Sequence, residues 1–310
     1  MTRCAPLLLL AAALLALAGV LGAGCGTATS PSSGSLDVVA STSFLADIAQ
    51  NVAGDRFQVR SLIPRGTDPH SFEPTPSDLK AVAGADLVII NGGGLEGTLL
   101  TTIQNAVGGS TIVDASAGLR SRTPQPGEPA LAAGQTDPHF WLDPVLVKTY
   151  VKNIEAAFGK ADPAGAATYQ ANAAAYDKKL TALDTWIRRQ VGQIPPAARK
   201  LVMDHVSQGY FADRYGFTVV GTVIPSATSS DSPTARQLSD LVQAIRATGV
   251  KAIFVDAAEN PQLAQQIGAE TGVEVVTDLL DHSLTAPDGP APTYIDMMKY
   301  DTRLIVGALR

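Results

Sequence analysis

Residues 161–196 read ADPAGAATYQANAAAYDKKLTALDTWIRRQVGQIPP. Tyr169, Ala173, Tyr176, Leu180, Leu183, Ile187 and Val191 recur at spacings of three and four, the period of one apolar helix face. Asp162-Pro163 is a start signal and Pro195-Pro196 a stop. The pattern predicts a helix of about thirty residues, near 45 Å long at about 1.5 Å per residue. That exceeds the width of a small domain, so the helix reads as a connector between two units.

Both flanks of this helix alternate short β-branched runs with amphipathic ones. Before it, LDVVAS, FQVRSLI, DLVIINGGG and STIVDAS read as strands, with SFLADIAQNVAG and DLKAVAGA as helices. After it come the strands RKLVMDH, FTVVGTVI, VKAIFVDA and VEVVTDLL, separated by helical patterns and closed by PTYIDMMKYDTRLIVGALR. Near-continuous apolar strands alternating with helices imply parallel sheets covered on both faces. The expected fold is α/β: two lobes, each a parallel sheet flanked by helices, joined by one long helix, with a ligand site in the crevice between them. The boundaries are a signal peptide at 1–24, a flexible tether at 25–35, an N-terminal lobe at 36–160, the linking helix at 161–194 and a C-terminal lobe at 195–310.

The leader carries one charge, Arg3, and then an uncharged apolar run to Gly24, which reads as an export signal. The run is also about long enough to span a bilayer as an uncleaved anchor. Small residues at 22–24 followed by Cys25 resemble a lipoprotein cleavage site, although Gly22 stands where Leu is usual. Cys4 lies in the leader, so the exported chain has Cys25 alone, which excludes an internal disulfide, a thiolate zinc cluster or a Cys-X-X-Cys redox pair. Residues 26–35, GTATSPSSGS, have the composition of a tether. Without the leader the formal charge is −7, which argues against nucleic acid as a partner.

Four histidines, His70, His139, His205 and His282, are spread through the chain, and two share the phrase Thr-Asp-Pro-His, at 67–70 and 136–139. Each proline fixes φ near −65° and biases the preceding Asp toward an extended backbone, so the chain is stiff where an imidazole is aimed. His205 and His282 end strands, where open α/β sheets hold ligands, and the other two lie in loops free to face the same crevice. Asp68, Glu73 and Asp137 are near enough in sequence to orient imidazoles, though Asp-Pro is also ordinary turn chemistry. Asp256 and Glu259 close another strand and are weaker candidates for contact. Phe72, Phe140 and Trp141 flank the histidines and would shield a metal or simply pack. Gly92-Gly93-Gly94 lacks the remainder of a phosphate loop and reads as strand termination. Imidazoles from two lobes suit Zn²⁺, or Mn²⁺ where oxygen joins them. No H-E-X-X-H, H-X-H or G-X-S-X-G is present.

The phrases GTDPHSFEPTPSDL, ADLVIINGGGLE, DPHFWLDP, HVSQGYFADRYG and TYIDMMKYDTRLIVGAL resemble those of the zinc- and manganese-binding solute receptors of bacterial ABC importers, the adhesin-like metal-binding lipoproteins, over about residues 36–310. The resemblance implies two α/β lobes bridged by a rigid helix, one divalent ion held between them for delivery to a membrane permease, and no catalysis. It carries the first three ligands onto His70, His139 and His205. At the fourth place the family has an aspartate in a phrase like L-Y-T-D-S-L, whereas this chain has Leu279-Leu280-Asp281-His282-Ser283-Leu284. The gapless register favours His282 over Asp281, and four imidazoles tilt selectivity from manganese toward zinc. Many zinc receptors of this kind have a histidine-rich loop before the second Asp-Pro-His, and residues 121–135 contain no histidine. The expectation is therefore a monomeric receptor for Zn²⁺ in preference to Mn²⁺, on the outer face of the cytoplasmic membrane through a lipid on Cys25, or periplasmic. An exported metal-dependent hydrolase using the same histidines, with Glu73 or Asp281 as base, is the rival; a receptor for a metal chelate or another small solute is a third reading.

Overall fold

A computed structural model describes residues 35–125, 128, 131 and 134–310; the expected signal peptide and most of the tether lie outside the described residues. Ser35–Arg310 forms one compact unit with its own hydrophobic core, the property of a segment that folds by itself.

The first sheet contains β1 (Val38–Ala40), β2 (Val59–Ser61), β3 (Leu87–Ile90) and β4 (Thr111–Asp114), all parallel, in the order β2-β1-β3-β4. The second contains β5 (Lys200–Met203), β6 (Thr218–Thr222), β7 (Ala252–Asp256) and β8 (Glu274–Leu279), also parallel, in the matching order β6-β5-β7-β8. Central strands β3 (LVII) and β7 (AIFVD) are buried at every position, which is why they read as apolar runs without alternation.

The helices of the first lobe are α1 (Ser43–Ala53), α2 (Pro76–Gly84), α3 (Gly97–Ala106) and α4 (Pro144–Ala161). Local chemistry sets their starts: Thr75 and Asp78 form a reciprocal capping box ahead of α2, and Asp143 caps Val145 N at 2.8 Å ahead of α4. Helix α3 was not expected from the sequence; it has no side-chain cap and buries only Leu99 and Ile103, too sparse a signal to read.

The connector is α5 (Ala166–Val191), preceded by a 3-10 turn at Pro163–Gly165. With 26 residues it is about 39 Å long, four residues shorter than the spacing suggested, because Pro163 opens the 3-10 turn and not the helix. All seven residues of its periodic face are buried, and the aliphatic ones among them, Leu180, Leu183, Ile187 and Val191, are each worth about 1.5–3 kcal/mol. Arg56 bonds Asp162 at 2.8 Å and Tyr169 at 3.1 Å, fastening its start beside β2. Its other end runs through Ile194 into Lys200, the first residue of β5.

The second lobe adds α6 (Gly209–Tyr215), α7 (Ala235–Thr248), α8 (Gln262–Thr271) and α9 (Tyr294–Leu309). Helix α9 packs on α5 and also reaches α1 of the first lobe. As a result one core cluster runs unbroken from Val38 and Leu87 through Tyr176 and Leu183 to Leu201, Phe254 and Met297. Among the described residues no helix is long and apolar enough to cross a membrane.

Candidate metal centre

The glycines after β3 show how the site is positioned. Gly92, Gly93 and Gly94 all have positive φ. A Cβ on Gly92 would lie 2.1 Å from Asp114 Oδ1, and one on Gly93 2.6 Å from Phe140 Cε2, so only glycine lets this loop lie against the second Thr-Asp-Pro-His. The buried carboxylate of Glu96 gathers the loop, accepting from Asn91 N at 2.6 Å, Gly92 N at 3.2 Å and Ser41 Oγ at 2.8 Å. Asn91 in turn donates to Pro138 O at 3.0 Å and accepts from Tyr150 Oη at 2.6 Å. His139 is thus held by its own stiff turn and by a polar clamp one strand away.

His70 lies beyond β2, where Gly66 (φ 77°) turns the chain and donates to Ser283 Oγ across the crevice at 2.6 Å. Asp68 does not reach an imidazole. It accepts from His70 N at 2.9 Å, Ser71 Oγ at 2.8 Å and Ser229 Oγ of the other lobe at 2.8 Å, so it is turn chemistry. His205 lies two residues past β5, and His282 lies three residues past β8.

The four side chains meet. His139 Nε2 is 3.4 Å from His70 Nε2, 3.4 Å from His205 Nε2 and 3.1 Å from His282 Nε2. All four ligand atoms lie within 4.8 Å of one another. Donors about 2.0–2.1 Å from a tetrahedral Zn²⁺ are separated by about 3.3–3.4 Å, close to these spacings. His139, His205 and His282 are buried and His70 is half-buried.

Three imidazoles have a carboxylate behind them: Asp137 Oδ1 lies 2.8 Å from His139 Nδ1, Asp204 Oδ1 3.2 Å from His205 Nδ1, and Asp256 Oδ2 3.3 Å from His282 Nδ1. A proton on each Nδ1 serves those contacts and turns an Nε2 lone pair to the common centre. Converging lone pairs repel unless a cation joins them. Burial and the surrounding imidazoles hold His70 and His139 well below the ordinary histidine range, so both are neutral and ready to ligate at pH 7. Burial also acts against the charged form of His205, but the adjoining Asp204 outweighs it and holds that imidazole above the ordinary value.

Asp281 is not among the four converging ligands, although one of its carboxylate oxygens lies within 4.8 Å of a carboxylate oxygen of Asp256 and of a His282 ring nitrogen. It accepts from Ser207 Oγ at 3.0 Å and from Gln208 Nε2, while its backbone carbonyl accepts from Trp141 Nε1 at 2.7 Å. Burial and the nearby Asp301 and Asp256 push its carboxyl well above the usual range, which keeps it a neutral acid. Trp141 is fully buried, stacked on Phe44 at 4.4 Å, with its ring 5.1 Å from that of His139 and 5.8 Å from that of His282. It closes the apolar side of the centre. Phe140 packs instead on Tyr210 and Phe72 on the core of the first lobe. Glu73 is exposed and away from the cluster, and Glu259 is half-buried and makes no contact with an imidazole nitrogen. Asp204, Asn91 and Glu96 carry positioning roles that the sequence reading missed. The signal for Asp204 was available, since Asp204-His205 repeats the Asp-His pair of 281–282.

Residues 38–308 match the protein family described as ZnuA, zinc-uptake complex component A, periplasmic. The chain is 34% identical over 293 residues to the manganese-binding lipoprotein MntA of Halalkalibacterium halodurans, covering 94% of this chain and 95% of the relative. It is 31% identical over 315 residues to the manganese ABC transporter substrate-binding lipoprotein PsaA of Streptococcus pneumoniae, covering 100% and 99%. Among solved structures, the periplasmic zinc-binding protein TroA from Treponema pallidum aligns with a TM-score of 0.80 at 26% identity, covering 89% of this chain and 99% of that one.

Proposed function

The chain belongs to the ZnuA family of periplasmic metal-uptake components, and on that premise we propose that it captures one Zn²⁺ ion with His70, His139, His205 and His282 and passes it to a membrane permease. The family's role is plain: these are extracytoplasmic substrate-binding proteins of metal ABC importers. What is proposed is the ligand set and the preference for zinc. The observation that carries both is the convergence of four imidazole Nε2 atoms with no carboxylate oxygen among them. Mn²⁺ favours oxygen donors, whereas Zn²⁺ accepts four nitrogens in a tetrahedron. A filled tetrahedron leaves no coordination position on which water could be activated, which speaks against the hydrolase reading. We further propose that the receptor acts as a monomer with a lipid on Cys25.

X-ray absorption of the zinc-loaded protein should show four nitrogen neighbours at about 2.0 Å. In competition, millimolar Mn²⁺ should not displace bound Zn²⁺. An oxygen neighbour, or Mn²⁺ binding as tightly as Zn²⁺, would overturn the zinc reading. Palmitate labelling that survives Cys25→Ser would overturn the lipid assignment.

A further inference from the structure

The outward face of α5 is as particular as its buried face. Between α5 and the start of α9 lies an open groove of about 740 Å³, lined by Leu183, Trp186, Ile295 and the cations Lys178, Lys179, Arg189 and Lys299. Arg303 adds a fifth cation, 5.3 Å over the Trp186 ring. No carboxylate lines the groove, and among the described residues none of the five cations is in an ion pair. Such a concentration is out of keeping with an acidic chain, formally −6 as a whole. The nearby acids on the helix are engaged elsewhere, Asp177 with Lys148 and Asp184 with Arg188 and Arg214.

Unpaired cations around a half-buried tryptophan match the chemistry of a bilayer surface, anionic headgroups above and an interfacial zone that favours indole below. The location agrees. Both ends of α5 are fastened beside the amino ends of strands, at Arg56 ahead of β2 and at Lys200 opening β5, and the chain enters the fold at the amino end of β1. The histidines lie past the opposite, carboxyl ends.

We propose that this groove is a lipid-contacting face, on which the receptor rests against the anionic phospholipid headgroups of the membrane it serves while its metal crevice stays clear of the lipid. The proposal rests on the extracytoplasmic, membrane-side placement of the family. Each cation near an anionic surface contributes roughly fivefold to partitioning.

The test is sedimentation of the 35–310 unit with vesicles of phosphatidylglycerol and phosphatidylcholine, against phosphatidylcholine alone. Binding is expected only with the anionic vesicles, falling at least about tenfold between low and high salt. It should drop by more than about a hundredfold in the combined variant Lys178→Ser, Lys179→Ser, Arg189→Ser, Lys299→Ser. A control removing exposed cations elsewhere, Lys80→Ser, Lys152→Ser and Arg236→Ser, should keep binding. Emission from Trp186 should shift to the blue on binding, while Trp141, the other of the two tryptophans, is already buried. Zinc titration of the combined variant should match the unaltered unit, which separates failure here from failure of the metal reading. No binding to anionic vesicles, equal loss in both variants, or binding to polyglutamate without binding to vesicles would each overturn the proposal.

Discussion

At residues 281 and 282 two adjacent ionisable side chains compete for one role. Burial and the nearby Asp301 and Asp256 keep Asp281 a neutral acid while it accepts from Ser207 and Gln208, and His282 points its Nε2 at His139. An amide can take the place of a neutral acid with little change. Asp281→Asn should therefore keep zinc affinity within about threefold, and His282→Ala should lose more than about a hundredfold, since one of four bonds is removed. Calorimetric titration of the two variants checks this, and the reverse ranking would transfer the ligand role to Asp281. A second residue gives a pH signature unrelated to metal. Burial raises the Asp47 carboxyl from 3.8 to about 6, opposed in part by the Tyr294 N–H it accepts at 3.0 Å. The folded chain keeps a proton between about pH 4 and 6 that the unfolded chain releases, so this group's contribution is full at low pH and lost as pH rises through about 6. Asp47→Asn keeps the acceptor and cannot ionise. It should be more stable than the parent by about 1–2 kcal/mol at pH 7–8, with the gap closing near pH 4, as followed by urea unfolding. The histidines themselves were legible because their settings, two stiff Asp-Pro turns and two strand ends, are local properties. The carboxylates behind them were read unevenly. Asp137 sits two residues from its histidine, whereas Asp256 reaches His282 from 26 residues away through the β7–β8 pairing, which only the folded sheet reveals.

The loop from Asn91 to Glu96 shows what an element contributes beyond its residues. Three consecutive positive-φ glycines have no metal chemistry, yet they let Asn91 reach Pro138 O and let the second Asp-Pro-His pack on the end of β3. Gly93→Ala combines a disfavoured backbone with a contact of 2.6 Å to Phe140. It should cost about 2–3 kcal/mol of stability and weaken zinc binding as well, because the displaced ring adjoins His139 in the chain. Loss of stability with unchanged affinity in a paired melting and titration experiment would separate the loop from the site. The sequence reading took this run as the end of a strand, which it is. Its role as a clamp depends on a partner 47 residues away. Helix α3, which follows, escaped notice for the opposite reason, a weak local pattern rescued by packing on the sheet through Leu99 and Ile103.

For the whole molecule, two lobes and a connector were readable because near-uniform strands and one long periodic helix dominate the chain. The continuity of the core was not, since it depends on α9 returning to both α5 and α1. That continuity limits relative motion of the lobes. Zinc binding should change the radius of gyration by less than about 1 Å in solution scattering, far short of a hinge closure. The same ion, bound only by the folded chain, should add about 4 kcal/mol of stability at a free concentration a thousandfold above its dissociation constant. Thermal melting with and without Zn²⁺ measures this, and the shift should vanish in a His70→Ala, His139→Ala double variant. The unbroken core also bears on protein engineering. A chain severed between Ile194 and Pro195 would yield two fragments, each with a raw apolar surface where α5 and α9 had met, so neither lobe could be transplanted, swapped for a relative's or used as half of a split sensor without its mate.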